Sequence, residues 1–340
     1  MVSQDRFISE IPKAELHLHI EGTFEPELMF EIAERNNKAI RYDSVEDLKR
    51  AYKFNNLQEF LDIYYEGTSV LVEQQDFYDL TTAYIEKAHS QKVLHTEIFF
   101  DPQAHTVREV EFDTVVKGIT RALEDGKKRL GISSKLIMCF LRHLDQESAL
   151  DVLNKAKEYK EVIAAVGLDS SEVGHPPSKF YNAFKAAKEE GFLTVAHAGE
   201  EGPPEYIHEA LDLLGVDRID HGNRAMEDHS LVEELVRRQI PLTVCPLSNL
   251  KLQVVKNLKD HPLKKMLQKG LLATINSDDP AYFGGYINEN YNAITQALGL
   301  SEEDLHNLAK NSFKASFLSN EEKRDMLDNV DSFVEGNEYS

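Results

Sequence analysis

Short apolar runs recur along the chain, and longer segments between them alternate apolar and polar residues with a helical period. Runs this apolar are typical of strands that are buried on both faces, as in a parallel sheet. The pattern predicts eight strands, at residues 14–20, 94–100, 135–141, 162–168, 192–198, 217–222, 240–246 and 271–277.

Amphipathic helices are predicted between these strands, at residues 114–131, 178–191, 204–215 and 230–239. Gly131, Gly191 and Gly215 stand where helices commonly end, and Pro204 stands where one commonly begins. Strand–helix alternation repeated eight times predicts an α/β fold, a closed (β/α)8 TIM barrel. An open doubly wound sheet is the alternative, but no G-x-G-x-x-G motif follows an early strand.

Two parts of the chain exceed this simple alternation. Residues 22–93 hold several helical patterns and are too long for one crossover helix, which predicts a helical insertion near the barrel mouth after strand 1. Residues 286–329 predict extra C-terminal helices. Because no internal repeat or low-complexity linker interrupts the chain, we expect residues 1–340 to form a single domain.

Composition and charge narrow the range of partners. The formal net charge of −21 would repel a phosphate backbone, so no nucleic-acid partner is expected. No apolar stretch is long enough to predict a membrane span. Cys139 and Cys245 suggest no disulfide framework, and the N-terminus lacks the apolar segment of a secretory signal. We therefore expect a cytoplasmic protein; homo-oligomerisation is left open.

The first chemical signal is His17-Leu18-His19 in the first predicted strand. Residues i and i+2 of a strand point to the same side, so both imidazoles face one way and can chelate one metal ion. The alternative interpretation is two polar residues on a solvent-exposed strand.

Two further histidines close predicted strands. His197 ends the fifth strand and is followed on the loop by Glu200, which pairs a metal ligand with a carboxylate that can move a proton. His221 closes the sixth strand and could orient or deprotonate a metal-bound water. The alternatives are a strand-end histidine beside solvated glutamates, and a histidine that caps a loop.

Two adjacent carboxylates, Asp278 and Asp279, follow the eighth predicted strand. The two carboxylates repel each other unless a cation or a bound hydrogen-bond donor is near. Asp278 is therefore a candidate metal ligand, and Asp279 is a candidate acceptor of a hydrogen bond from a substrate N–H. Turn chemistry is the alternative, since Asp-Asp-Pro-Ala also suits a turn.

All of these motifs fall at the C-terminal ends of predicted strands 1, 5, 6 and 8. In a barrel those ends converge on one face, where active sites lie. A set of three histidines and one aspartate, with an open position for water, suits Zn²⁺, and Fe²⁺ or Co²⁺ could use the same ligands.

The motifs ELHLHIEG, AHAGE, RIDHG and SDDP, in this order, resemble the adenosine/adenine deaminase family of metal-dependent hydrolases. The resemblance spans roughly residues 10 to 320. It implies a (β/α)8 barrel with one Zn²⁺ per chain that hydrolyses the exocyclic amine of a 6-aminopurine. By motif, the metal ligands would be His17, His19, His197 and Asp278. Glu200 would donate a proton to the ring, His221 would position the attacking water, and Asp279 would contact purine N7.

Two places differ from the nucleoside-specific members of that family. Glu21 stands where those enzymes carry an aspartate that serves the ribose, and Glu172 stands where they carry a glycine close to the purine. We expect Glu21 to occupy space that a sugar needs, and Glu172 to accept an N–H that only a free base has. Gly199 and Ser171 complete the expected substrate-binding set. The segments GLDSSEVGHPP and SDDPAYFGGY resemble the adenine-specific branch.

The resulting hypothesis is hydrolysis of adenine to hypoxanthine and ammonia, as in purine salvage, with a small-molecule purine as partner. Alternatives are deamination of adenosine or of an N6-substituted adenine, another metal-dependent amidohydrolase, and a non-catalytic purine-binding barrel. A two-metal amidohydrolase would be expected to carry a lysine at the end of strand 4, where this chain has Asp169 and Ser170. A binding protein would not need a proton donor beside its metal.

Overall fold

The computed structural model describes residues 4–338 and contains the predicted (β/α)8 barrel. The strands are β1 (Lys13–His19), β2 (Val93–Phe100), β3 (Ser133–Leu141), β4 (Ile163–Asp169), β5 (Leu193–Ala198), β6 (Arg218–His221), β7 (Leu242–Val244) and β8 (Ala273–Ile275). Neighbouring strands pair in parallel in sequence order from β1 to β8.

Helices connect the strands and flank them at both ends. They are α1 (Gln4–Glu10), α2 (Pro26–Arg35), α3 (Val45–Ala51), α4 (Leu57–Thr68), α5 (Gln74–Ser90), α6 (Pro102–Thr106), α7 (Phe112–Leu130), α8 (Gln146–Ala156), α9 (Tyr181–Glu189), α10 (Pro204–Glu209), α11 (His229–Arg238), α12 (Pro246–Lys251), α13 (Leu263–Gln268), α14 (Pro280–Phe283), α15 (Ile287–Leu298), α16 (Glu302–Lys314) and α17 (Asn320–Glu338). The insertion predicted after strand 1 is confirmed as α2 to α5, and the extra C-terminal helices as α15 to α17.

The barrel closes between β1 and β8 through backbone contacts just beyond β8. Leu18 forms an isolated parallel bridge with Asp278. The Asp278 N–H donates to the His17 carbonyl at 3.1 Å, and the His19 N–H donates to the Asp278 carbonyl at 3.0 Å. The closing contact therefore fixes the backbone of three residues that carry predicted site side chains.

Local sequence explains where several helices begin. Asn56, Asp145, Asp228 and Ser301 each accept a backbone N–H from the first turn of the helix that follows, which satisfies a donor that the helix leaves unpaired. The amphipathic pattern is also borne out in α7, whose Val115, Val116, Ile119 and Leu123 are buried.

Some predicted boundaries differ from the structure. Residues 178–191 were predicted as one helix, but Pro177–Phe180 forms a 3₁₀ turn before α9. Residues 204–215 divide into α10 and a π-helical turn at Ala210–Leu214. Strands β7 and β8 are each three residues long, shorter than their apolar runs, because the runs continue into the loops at the strand ends.

The amino-terminal half of the barrel interior is closed by buried charged side chains. Arg218 of β6 pairs with Glu97 of β2 and donates to Asp220 and to the Leu16 carbonyl of β1. His95 and the backbone N–H of Phe317 also contact the Glu97 carboxylate. A single buried cation thus links three strands.

Within residues 4–338, no helix combines the length and apolar character that crossing a bilayer requires.

Candidate active site

The C-terminal ends of β1, β5, β6 and β8 bring together the histidines and the aspartate that the sequence singled out. His17 and His19 both face the barrel interior, as their spacing predicts. Their rings lie 4.6 and 5.2 Å from the His197 ring, between centroids. His221 lies 5.0 Å from His197 by the same measure.

The ring nitrogens of these histidines surround one carboxylate oxygen. Asp278 Oδ1 lies 3.1 Å from His17 Nε2 and 3.5 Å from His19 Nε2. His19 Nε2 and His197 Nε2 face each other at 3.2 Å. Two buried imidazole nitrogens at this distance suit a shared cation, which takes a lone pair from each. The chain therefore carries a buried His/Asp cluster suited to a divalent metal ion.

Two overlapping ligand sets include Asp278. The set expected from the sequence takes His17, His19 and His197 with Oδ1, and the contacts of His19 Nε2 with Oδ1 and with His197 Nε2 support it. In a second set His221 replaces His19. One donor atom from each of His17, His197, His221 and Asp278 lies within 4.8 Å of the others, a condition that His19 meets with Asp278 and Asp279 instead. His221 Nε2, however, faces the other oxygen, Oδ2, at 3.8 Å and Glu200 Oε2 at 3.5 Å. This orientation favours a role for His221 beside the metal.

Hydrogen bonds behind the cluster orient His17. Thr243 Oγ1 donates to Asp220 Oδ1 at 2.8 Å and lies 2.9 Å from His17 Nδ1. Because the Thr243 hydroxyl group donates its proton in a hydrogen bond to Asp220, the Thr243 oxygen can only accept a hydrogen bond from the N–H of His17 Nδ1. The lone pair of His17 is then on Nε2, the nitrogen that faces Asp278. Burial, followed by the charge of His17, lowers the pKa of His197 well below its usual value and favours its neutral, ligating form.

Two strand-end residues of the site have left-handed backbone conformations. His221 has φ = 62° and Asp278 has φ = 64°. Non-glycine residues adopt such angles rarely, and they do so preferentially where surrounding contacts fix them, as at functional sites. The turn of the backbone at these residues accompanies the change from strand to loop.

Glu200 lies beside His221 in a buried position. Its Oε1 has no hydrogen-bond partner among the described residues. Burial, reinforced by the negative charges of Asp278 and Glu172, raises the pKa of Glu200 well above its usual range. Burial also lowers the pKa of His221 to about 3, assisted by the charge of His17. These shifts favour the protonated form of Glu200 and the neutral form of the His221 imidazole.

Asp279 packs against Gly22 at the edge of the cluster. A Cβ atom on Gly22 would lie 2.0 Å from Asp279 Oδ1, so only glycine leaves room for this carboxyl group. Burial, with the charge of Asp278, raises the pKa of Asp279 well above its usual range. The shift favours the protonated form of Asp279, which can donate a hydrogen bond.

These groups open into a cavity whose empty space, about 380 Å³, includes solvent at its mouth. Apolar and tyrosine side chains of α4 cover one side of the cavity. The lining residues are His19, Leu57, Phe60, Leu61, Tyr64, Tyr65, Asp101, Asp169, Ser170, His197, Glu200, His221, Leu252, Asp278 and Asp279.

Glu21 was expected to face the substrate, but it does not line the cavity. Its carboxylate is fully buried behind Asp101, where it accepts from the Asp101 backbone N–H at 3.1 Å and lies 2.8 Å from His105 Nε2. Asp101 and Tyr64 lie between Glu21 and the open space. The Glu21 carboxylate is thus held in a buried network with Asp101 and His105.

Glu172 also differs from its expected role as a substrate contact. It does not line the cavity, and its two carboxylate oxygens accept backbone N–H groups from Gly199, Glu200, Glu201 and Gly202. Gly199, with φ = 71°, contributes its amide to this contact and does not line the cavity. Ser171 lies at the rim, where its hydroxyl donates to Gln58 at 3.0 Å.

The sequence interpretation missed several groups of the cavity. Asp101 follows β2 and Asp169 ends β4, so the strand-end rule that selected His197 and Asp278 could have selected them too. Both are buried, and both oxygens of Asp169 and Oδ1 of Asp101 have no hydrogen-bond partner among the described residues. Tyr64 and Tyr65 come from the insertion, and no local motif marks them.

An eight-stranded parallel barrel with a buried His/Asp cluster at the C-terminal strand ends defines a metal-dependent hydrolase of the amidohydrolase type. The family model described as adenosine deaminase matches residues 12–333. This match covers almost the whole chain, and the chain therefore belongs to the adenosine deaminase family.

Several curated relatives match over nearly their full length. The chain is 60% identical over 329 residues to an adenine deaminase of Acinetobacter baylyi, covering 97% of this chain and 99% of the relative. It is 57% identical to an adenine deaminase of Wolinella succinogenes, covering 97% and 100%. The solved structure of adenine deaminase from Arthrobacter aurescens superposes with a TM-score of 0.94 at 50% identity, covering 96% of this chain and 99% of that one.

Proposed function

We propose that this chain is a zinc-dependent adenine deaminase that converts adenine and water to hypoxanthine and ammonia. The observation that carries the proposal is the buried Glu200 carboxyl group beside His221 and the His/Asp cluster, all of which face one cavity at the C-terminal strand ends. The names of the relatives at 57–60% identity support adenine as the substrate.

The proposed metal is one Zn²⁺ per chain, held by His17, His19, His197 and Asp278. The approach of His19 Nε2 to His197 Nε2 supports this set, since neither nitrogen needs to carry a proton there if a cation lies between them. Nitrogen ligands with one carboxylate suit zinc, and iron or cobalt could occupy the same positions. When bound, the metal would lower the pKa of a water molecule and supply the nucleophile at neutral pH.

The protein residues have separate roles in the proposed reaction. Glu200, whose raised pKa favours its protonated form, donates its proton to ring N1 and makes C6 electrophilic. His221, in its neutral form, accepts a hydrogen bond from the attacking water and holds it towards C6. Asp279 donates a hydrogen bond to N7, which fixes the ring so that C6 lies over the metal cluster. As the water oxygen bonds to C6, one of its protons passes to N6 by way of His221, and the C6–N6 bond breaks to release ammonia. The other water proton returns to Glu200 as the C6 carbonyl forms, which restores the proton donor.

The lining of the cavity supports a free base as substrate. Leu57, Phe60 and Leu61 of α4 give apolar side chains on one side of the cavity. Asp101 Oδ1 and both carboxylate oxygens of Asp169 have no hydrogen-bond donor among the described residues, although His19 Nδ1 lies 3.5 Å from Asp169 Oδ2. Buried acceptors without a donor are costly unless a ligand donates to them. Adenine has a ring N–H that a nucleoside lacks, so these carboxyl groups are the proposed partners of that N–H in place of Glu172.

The experiment that tests this proposal is product identification with purified, zinc-loaded protein. Adenine is incubated with the protein, hypoxanthine is measured by chromatography, and ammonia is measured in the same sample. We expect one ammonia per hypoxanthine, with formation stopped by a metal chelator and restored by added zinc. If adenine remained unchanged while N6-methyladenine were converted, the proposed substrate would be wrong and an N6-substituted purine would replace it.

A further inference from the structure

The loop between β5 and α10 carries Glu200, and its backbone converges on one carboxylate. Glu172 Oε1 accepts the Gly199 N–H at 2.7 Å. Its Oε2 accepts the N–H groups of Glu200, Glu201 and Gly202 at 3.1, 2.8 and 2.7 Å. Four consecutive amides of one loop are thus hydrogen-bonded to a single side chain, which is 1% exposed.

Close packing keeps this carboxylate in place. A Cβ atom on Gly202 would lie 2.5 Å from Glu172 Oε1 and 2.6 Å from Tyr206 Cδ2, so the glycine is needed for the loop to approach. Gly199 has a left-handed backbone, and a Cβ there would lie 2.5 Å from Ile207. The loop conformation therefore depends on its glycines and on Glu172 together.

Arg142 links the same two segments by a second route. Its Nη1 donates to the His197 carbonyl at 2.7 Å, and its Nε donates to the His175 carbonyl at 2.9 Å. His197 is the penultimate residue of β5, just before the Glu200 loop, and His175 lies three residues after Glu172. The segment that carries Glu172 is therefore fixed relative to the metal cluster, and Glu172 in turn fixes the loop that carries Glu200.

We propose that Glu172 is a positioning residue that holds the Glu200 carboxyl group at the reacting ring by binding the backbone amides of residues 199–202. The inference rests on the proposed function, because it assigns Glu200 as the proton donor. A displacement of about 1 Å at a reacting group can lower a rate on the order of 10²-fold. Glu172 does not line the cavity, so its effect is on the chemical step and not on purine binding.

The test compares Glu172→Gln with the wild type in the zinc-loaded enzyme. The amide group keeps the size of the side chain but places an NH₂ donor against loop N–H groups. We expect kcat for adenine to fall by roughly 10- to 100-fold, with KM and the affinity for hypoxanthine changed less than about threefold and zinc content unchanged. A large rise in KM with unchanged kcat would overturn the proposal and indicate a direct substrate contact.

A second variant disturbs the same contact from the other side. Gly202→Ala adds a Cβ against Glu172 without removing any charge, and we expect the same loss of kcat with little change in KM. This variant also tests the proposal if Glu172→Gln does not fold. Glu209→Gln is the matched control, since the Glu209 carboxylate accepts a single backbone N–H, from Ser178, and does not line the cavity. Its kcat should equal that of the wild type.

Hydrogen–deuterium exchange separates this inference from the proposed function. Amides 199–202 should exchange at least tenfold faster in Glu172→Gln than in the wild type, whatever substrate the enzyme uses. If wild-type protein left adenine unchanged, the proposed function would fail while this exchange result could still stand. If adenine were converted and neither exchange nor kcat differed in the variant, the positioning role would fail alone.

Discussion

Asp278 presents its two carboxylate oxygens to different histidines. Oδ1 lies near the Nε2 atoms of His17 and His19, and Oδ2 lies nearer to His221. Because the left-handed backbone of Asp278 is fixed by the β1–β8 closure, this division is built into the barrel. The two oxygens of Asp278 thus distinguish His17 and His19, which are proposed metal ligands, from His221, which is proposed to hold the attacking water.

His19→Ala and His221→Ala should separate these two roles. We expect His19→Ala to lose most of its bound zinc, since one of four ligands is removed, together with its activity. His221→Ala should retain zinc and lose activity by roughly 10²- to 10⁴-fold, the range for a positioned acid–base group. Metal analysis after gel filtration measures the zinc. The reverse pattern of zinc retention would establish the second ligand set, with His221 in place of His19.

Glu200→Gln tests the proton donor directly. The amide keeps the shape of the side chain but has no acidic proton, so kcat should fall by roughly 10²- to 10⁴-fold with zinc content unchanged. Glu201→Gln is the control on the same loop, because its carboxylate contacts the Leu57 N–H and does not line the cavity. Its kcat should stay within about threefold of the wild type. Near-normal turnover by Glu200→Gln would exclude Glu200 as the donor.

The residues found from the sequence are those whose chemistry is local. His17 and His19 follow strand periodicity, and His197, His221 and Asp278 follow the strand-end rule, so their convergence was predictable. The environment of Glu172 was not, because it depends on how the loop after β5 folds back over the loop after β4. A carboxylate that binds four backbone amides has the same sequence signature as one that binds a ligand N–H.

At the scale of elements, the strands were predicted best because burial on both faces produces continuous apolar runs. Helix boundaries were less accurate where tertiary contacts decide them. The 3₁₀ turn at Pro177–Phe180 has Pro176 as its N-cap and Pro177 as its first residue, and the fixed backbone angles and missing N–H groups of these prolines delay the regular helix. The packing of α4 over the cavity had no local signal, since it depends on contacts between the insertion and the barrel mouth.

Replacing Arg218 tests how contacts between strands stabilise the fold, because this side chain connects β1, β2 and β6. Although burial raises the pKa of Glu97, the charge of Arg218 and the hydrogen bond from His95 outweigh it and hold this pKa at about 2. Arg218→Met leaves the Glu97 carboxylate buried without its cation, and we expect a loss of about 3 kcal/mol or more in the free energy of unfolding. Urea unfolding measures this loss.

Arg129→Met is the control for that experiment, since its pair with Glu86 is exposed and should contribute about 0–1 kcal/mol. The pKa of Glu97 is lower in the folded than in the unfolded chain. The stability that ionised Glu97 contributes is therefore complete above its unfolded pKa, near 4.5, and is lost as the pH falls towards 2. The difference between wild type and Arg218→Met should decrease over that interval. An equal loss in both variants at pH 7 would contradict a stabilising role of the Arg218–Glu97 pair.

In the molecule as a whole, the buried ion pair that stabilises the barrel and the residues of the candidate active site lie at opposite ends of the strands. The buried ion pair of Arg218 and Glu97 lies towards the amino-terminal ends of the strands, and the cavity lies at their carboxyl-terminal ends. The insertion covers the cavity with α4 side chains. We therefore expect this carboxyl-rich site, partly covered by α4, to accept a free purine base and to exclude its nucleoside.

The most direct test of that claim is the ratio of kcat/KM for adenine to kcat/KM for adenosine, measured side by side by ultraviolet absorbance with the zinc-loaded protein. A site that hydrogen-bonds a substrate N–H rejects an analogue without it by up to about 10⁴-fold, so we expect a ratio on the order of 10³ or higher. Comparable values for the two substrates, or a preference for adenosine, would contradict the account of the cavity while leaving the metal cluster and Glu200 in place.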